Sequence, residues 1–102
     1  MPSIHLIERQ DNISPVTNAS GEWESGYWAI SKDTAKRLVG GDIYLHKAQD
    51  KPSHFGGKIV SYRVNQGGVF DGRIIFCFKA SMEHKGMRTG PEKWGNEKKI
   101  NW

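Results

Sequence analysis

One cysteine, Cys77, stands in the 102 residues, which excludes an intramolecular disulfide and any cysteine-rich zinc site. Within Ile74-Ile75-Phe76-Cys77-Phe78 it is expected to be a buried, inert thiol. Long apolar runs are also missing. No stretch nears the roughly 20 consecutive apolar residues that a membrane-spanning helix requires. The opening MPSIHLIERQ has neither the basic nor the apolar region of a secretory signal, so a soluble, cytoplasmic chain is expected. Acids are scarce in the second half. Positions 51–102 hold four of them against ten Lys and Arg, a net +6, whereas positions 1–50 carry a net −2. The total of +4 permits an anionic partner without demanding one.

Aromatic residues are plentiful: four Trp, three Tyr and four Phe. They supply the contact area with which a chain of mean hydropathy −0.65 can offset its conformational entropy. The length suits one core, so residues 1–102 are read as a single domain.

Ser3 to Glu8 alternate apolar Ile4 and Leu6 with polar neighbours, the mark of a half-buried strand. Residues 10 to 25 are rich in Asn, Ser, Pro and Gly and predict a long loop. Tyr27 to Ile30 form an apolar, aromatic strand. Ser31 then stands at an N-cap position before Lys32–Val39, with Ala35, Leu38 and Val39 on one face and Gly40-Gly41 as the stop. DIYLHK at 42–47 reads as a strand. AQDKPSHFGG breaks it, and KIVSYRV at 58–64 resumes. After a Gly-containing turn, Arg73 to Lys79 form the most apolar strand, expected to be central and buried on both faces. From Ser81 the chain is polar and turn-rich until KKINW, a candidate closing strand. Consecutive antiparallel strands in so short a chain predict an α+β fold: a small, curved, barrel-like sheet with one short helix.

Catalytic signatures are absent. His5, His46, His54 and His84 show no metal-ligand spacing, with Asp50 the one obvious third ligand near the 46–54 pair. There is no GxSxG, Cys-His or phosphate-loop pattern. Neither metal nor cofactor is expected.

Two segments resemble a known superfamily. GYWAISK at 26–32 and GDIYLHKAQDKPSHFGGKIVSYRV at 41–64 are similar to PUA-like domains of the EVE and ASCH branches. In those domains a Tyr-Trp strand opens the domain, and a Gly-Asp turn leads into an apolar strand, a polar loop and a second apolar strand. Where the EVE branch carries Lys-Ser-Glu-Pro this chain has Ala29-Ile30-Ser31-Lys32, so that element is not carried over. The resemblance implies a PUA-like fold and binding of RNA or DNA, with a base, in some members a modified one, held in an aromatic-lined pocket. Trp28, Tyr44, Phe55 and Trp94 are the candidate stacking faces, each with a core reading beside the ligand reading. Lys47, Gln49, Lys51 and Ser53 are the candidate polar readers. Lys85, Arg88, Lys93, Lys98 and Lys99 are the candidates for the nucleic-acid backbone. Two other readings stand beside this one. The first is a small protein-binding adaptor or inhibitor anchored by exposed Trp. The second is an ASCH-like amidohydrolase on modified nucleosides, using Lys32, Thr34 and Glu83 or Glu92.

Overall fold

The computed structural model describes residues 2–9, 12–16, 21–95 and 97–102. Period-2 alternation puts Ile4 and Leu6 on the inner face of β1, Ser3–Ile7. β2 is Ile13–Pro15 and β3 is Glu22–Trp28. In α1, Lys32–Leu38, the Ser31 hydroxyl accepts from the Thr34 N–H at 3.2 Å. Asp33 lies in the first turn, with Lys36 and Arg37 in the last, which complements the helix dipole. A helix of 7 residues is marginal alone, and Ala35 and Leu38 anchor it by packing on the sheet. β4, Asp42–His46, β5, Ser53–Val64, β6, Ile74–Ala80, a single 3-10 turn at Met82–His84 and β7, Lys98–Asn101, complete the order.

The strands form one sheet in the order β2-β3-β6-β5-β4-β1-β7. All neighbours are antiparallel except β1 and β4, which run parallel with Ile4 beside Ile43 and Leu6 beside Leu45. The architecture is therefore α+β and mostly antiparallel, with one α-helix among the described residues. One face buries Ile4, Leu6, Ile43, Leu45, Ile59, Ile74, Phe76 and Phe78 together with Trp28 and the helix. Each such Ile or Leu contributes about 1.5–3 kcal/mol relative to exposure. Because Ile4 and Leu6 of β1 share this cluster with Trp28 of β3 and Ile74 of β6, the sheet must curl until its two wings face each other. They meet without a ladder, so the sheet is open. The Lys98 ammonium, donating to the Ala29 carbonyl at 3.3 Å, is one of the ties across this seam.

Several expectations change. The first strand pairs in parallel with β4 rather than with a sequence neighbour. β2 and most of β3 lie inside the expected 10–25 loop, of which positions 10, 11 and 17–20 lie outside the described residues. Trp23 pairs with Phe78 across β3 and β6 and packs against the core, and this burial overrides the turn-rich composition. β3 stops at Trp28, where the Ile30 N–H turns back to the Trp28 carbonyl at 3.0 Å. β5 starts at Ser53 and keeps Gly56 and Gly57 inside the strand. A Cβ at Gly57 would stand 1.9 Å from the Lys79 carbonyl oxygen, so the glycine is there for close backbone approach. β6 is interior as expected, yet Cys77 points to the outer face. It is half-buried, with Sγ 3.4 Å from Glu22 Oε1. Burial and that carboxylate push the thiol pKa up. No helix among the described residues is long and apolar enough to cross a membrane.

Candidate functional site

The seam leaves a cleft of about 170 Å³ where β1 runs out. At the end of that strand the Ile7 N–H donates to the Glu97 carbonyl at 2.9 Å, and just past it the Glu8 N–H donates to the His46 carbonyl at 2.8 Å. These bonds hold the chain so that Glu8, 2% exposed, lines the cleft. The Asn12 N–H donates to its Oε1 at 3.2 Å. Tyr27 and Trp28 come from the end of β3, and Phe70 and Arg73 from the β5–β6 hairpin. Tyr27 and Phe70 stack face to face, with centroids 4.9 Å apart and planes at 4°. The Arg73 guanidinium stands 5.9 Å from the Phe70 centroid.

The hairpin loop is built to hold Phe70. Gly67, Gly68 and Gly72 take φ of +87°, +75° and +84°, a region closed to most side chains. The Asn65 amide donates to the Phe70 carbonyl at 3.1 Å, and Asp71 Oδ1 accepts from the Gly67 N–H at 2.6 Å. An aromatic pair, Glu8 and Arg73 thus line one concavity of about 170 Å³.

A second cluster covers the outer face of β1 and β4. His5 and Tyr44 are cross-strand partners stacked at 4.6 Å, and Tyr44 stacks in turn on His84 at 4.9 Å. His46 Nδ1 lies 2.8 Å from the Lys51 carbonyl, which can only accept, so that nitrogen carries the proton. His46 Nε2 then accepts from His5 Nδ1–H at 2.8 Å. Burial, then His46 and Lys99, push the His5 pKa down to about 4. Burial also lowers His46, against the opposing pull of the Lys51 carbonyl. Burial alone would raise Asp42, but hydrogen bonds from His84, at 2.9 Å, and Lys58 outweigh it and hold the carboxyl below its usual value. Asp42, Tyr44, Lys58, Lys79 and His84 border a groove of about 490 Å³. Among the described residues no group of three or more His, Cys, Asp or Glu is placed to hold a metal ion.

A third concavity, of about 360 Å³, lies between the β4–β5 loop and the coil after the 3-10 turn, lined by Gln49, Asp50, Lys51, Arg88, Thr89 and Pro91. The sequence-predicted residues are therefore divided among sites. Trp28 lines the cleft but is 5% exposed, in the core, with its indole N–H on Ser25 Oγ at 3.1 Å. Tyr44 belongs to the histidine stack, and Trp94 sits edge-on to His5 and His46. Phe55 is wedged between Trp23 and Phe78. Ser53 is buried, donating to the His84 carbonyl at 2.6 Å. Lys47, Lys51, Lys85, Arg88 and Lys93 are exposed. Lys99 is not: it is 6% exposed, with Nζ on the Gly90 carbonyl at 2.9 Å. Glu8, Tyr27, Phe70 and Arg73 escaped sequence reading. Tyr27 lies inside the GYW segment of the PUA-like resemblance, while nothing local marks Glu8 or Phe70, which the curl brings together. No family model matches the chain, and no curated protein or solved structure matches it.

Proposed function

We propose that this chain is a nucleic-acid-binding module of PUA-like type that seats one base in the seam cleft and performs no chemistry on it. The observation that carries the reading is the Tyr27–Phe70 stack beside the buried carboxylate of Glu8 and the guanidinium of Arg73. A base extends the stack by one ring. Its amino or imino N–H groups face Glu8, while Arg73 and Arg9 on the rim attract the attached phosphate. The likeness of residues 26–32 and 41–64 to PUA-like domains supports the same reading, since Tyr27 and Trp28 of the first segment line the cleft. The adaptor reading wants exposed aromatic anchors. Trp102 alone among the tryptophans is strongly exposed, at 56%, and the Arg37 guanidinium lies 4.0 Å over its ring. For the amidohydrolase reading, Lys32 and Thr34 lie in the first turn of α1, and Thr34 Oγ1 is bonded to Ser31 Oγ at 3.0 Å.

Fluorescence anisotropy with a labelled single-stranded hexanucleotide at low salt tests the proposal. Tyr27→Ala and Phe70→Ala are each expected to weaken binding by about 1–3 kcal/mol, the worth of one base–aromatic stack. A Tyr27→Ala protein that is folded by circular dichroism and binds as tightly as the parent sinks the cleft as the base site.

A further inference from the structure

We infer that the depression between residues 49–51 and 88–91 is a phosphodiester subsite, which holds the nucleic-acid backbone next to the base in the seam cleft. The inference rests on the base-binding reading and extends it to a surface on separate chain segments. Two links place the concavities side by side. Gln49 Nε2 donates to the Gly95 carbonyl at 3.1 Å, and Glu97, two residues on, lines the cleft. On the other side the Glu8 N–H is bonded to the His46 carbonyl, and Lys47 follows at once. A strand that leaves a base in the cleft runs directly onto the 47–51 loop.

The chemistry of the depression suits a phosphodiester. Lys51 supplies an ammonium, Arg88 a planar fork of donors, Gln49 an amide and Thr89 a hydroxyl, against the single carboxylate of Asp50. Lys47, Lys85 and Lys93 are exposed on the same two segments. Segments 47–51 and 85–95 together hold five cations and two carboxylates, Asp50 and Glu92. The ion pairs among the described residues are Lys58–Asp42, Arg63–Glu24 and His84–Asp42, so none of the five cations is neutralised by a carboxylate contact. A net charge left concentrated on two adjoining loops costs self-repulsion, and a polyanion relieves it.

The segments that carry the cations are also joined before any ligand arrives. The Ser53 N–H donates to the Met87 carbonyl at 2.8 Å and the Gly86 N–H to the Ser53 carbonyl at 2.7 Å. Arg88 Nη1 reaches the Asp50 carbonyl at 3.3 Å. The two segments are thus one surface rather than two independent loops, which lowers the ordering cost of binding.

The test is the salt dependence of hexanucleotide binding by anisotropy, with binding of the matching nucleoside measured in parallel by tryptophan quenching. Lys51→Gln combined with Arg88→Gln is expected to weaken hexanucleotide binding by about tenfold or more. It should also flatten the slope of log K against log salt by about 1.4, since each single-strand phosphate contact contributes about 0.7. Nucleoside binding should stay at the parent value. Lys32→Gln combined with Lys36→Gln, on the helix, should leave the slope unchanged. Lys47→Gln with Lys51→Gln serves if the first pair disturbs folding, since neither ammonium makes an ion pair among the described residues. An unchanged slope in the folded variant overturns the subsite and spares the cleft. A parent chain that binds nucleoside and hexanucleotide no better than background overturns both. Competition by polyglutamate as strong as by the hexanucleotide, and equally dependent on Lys51 and Arg88, overturns the nucleic-acid assignment in favour of an acidic protein.

Discussion

Trp28 shows how one residue serves two ends. Its indole packs with Ile4, Leu6 and Ile74 in the core and donates to Ser25, while one edge lines the cleft. The core role dominates its energetics. Trp28→Ala is expected to cost about 3–5 kcal/mol of stability, the usual penalty for emptying a large buried site, read as a drop in the urea midpoint with the slope unchanged. Trp28→Phe refills most of the volume and gives up the bond to Ser25, so its loss should be no more than about 1–2 kcal/mol. If Trp28→Ala unfolds at the parent midpoint, the indole is not a core member. Lys99 is the opposite case, a cation that looks like a phosphate ligand in sequence and is spent on the Gly90 carbonyl in the fold.

At the scale of elements, residues 82–95 form a strap over the outer face of β1, β4 and β7, and the histidine stack is the surface on which it rests. The groups facing His5 and His46 are Lys99 from β7, Tyr44 from β4, Trp94 from the strap and the Lys51 carbonyl from the β4–β5 loop, while His84 of the strap stacks on the other side of Tyr44 and bonds Asp42. The His5–His46 bond requires a neutral His46 ring, whose Nε2 accepts from His5 Nδ1–H, and the buried ammonium of Lys99 opposes positive charge on His5. The folded state therefore binds fewer protons than the unfolded chain between the ordinary histidine value of 6.5 and the His5 value of about 4. This stability is fully present above pH 6.5 and is lost as pH falls towards 4. After allowance for solvent screening the loss is on the order of 1–3 kcal/mol. Thermal melts at pH 7, 6, 5 and 4 should show it, and His5→Phe, which keeps the ring stack on Tyr44 but cannot be protonated, should flatten the profile. A parent whose melting temperature is level over this range contradicts the neutral-pair geometry.

For the whole molecule, the decisive feature is a sheet that curls without closing. β1 lies between β4, more than thirty residues ahead of it in sequence, and β7, at the far end of the chain. Its inner residues complete the core, so the fold cannot be assembled from one half of the sequence. Ending the chain after residue 97 removes β7, including the Lys99 tie to the strap and Ile100 against the core. Such a chain is expected to lose its cooperative melting transition by circular dichroism. Retention of the parent transition would show that β1 is held by β4 alone. The same curl creates the candidate site, because the unzipped seam is the gap into which Glu8, Tyr27, Phe70 and Arg73 project.

Local chemistry was enough to predict α1 with its Ser31 cap, the alternation of β1, strands at 42–47 and 73–79 that the fold realises at 42–46 and 74–80, and a mostly antiparallel α+β domain with one helix. Each rests on a period or a cap whose physics acts within a few residues. What lay beyond that reach was decided by distant partners. β2 and most of β3 formed inside a turn-rich stretch because Trp23 found Phe78 and the core. Gly56 and Gly57 joined a strand because neighbouring backbones approach too closely for a side chain. Cys77 faced outward because Phe76 and Phe78 took the core side of a two-residue period. The candidate cleft was illegible for the same reason. Glu8, Tyr27 and Phe70 are separated by long stretches of chain, and only the curl of the sheet, driven by burial of Ile4 and Leu6 against Trp28, brings a carboxylate and two rings to one place.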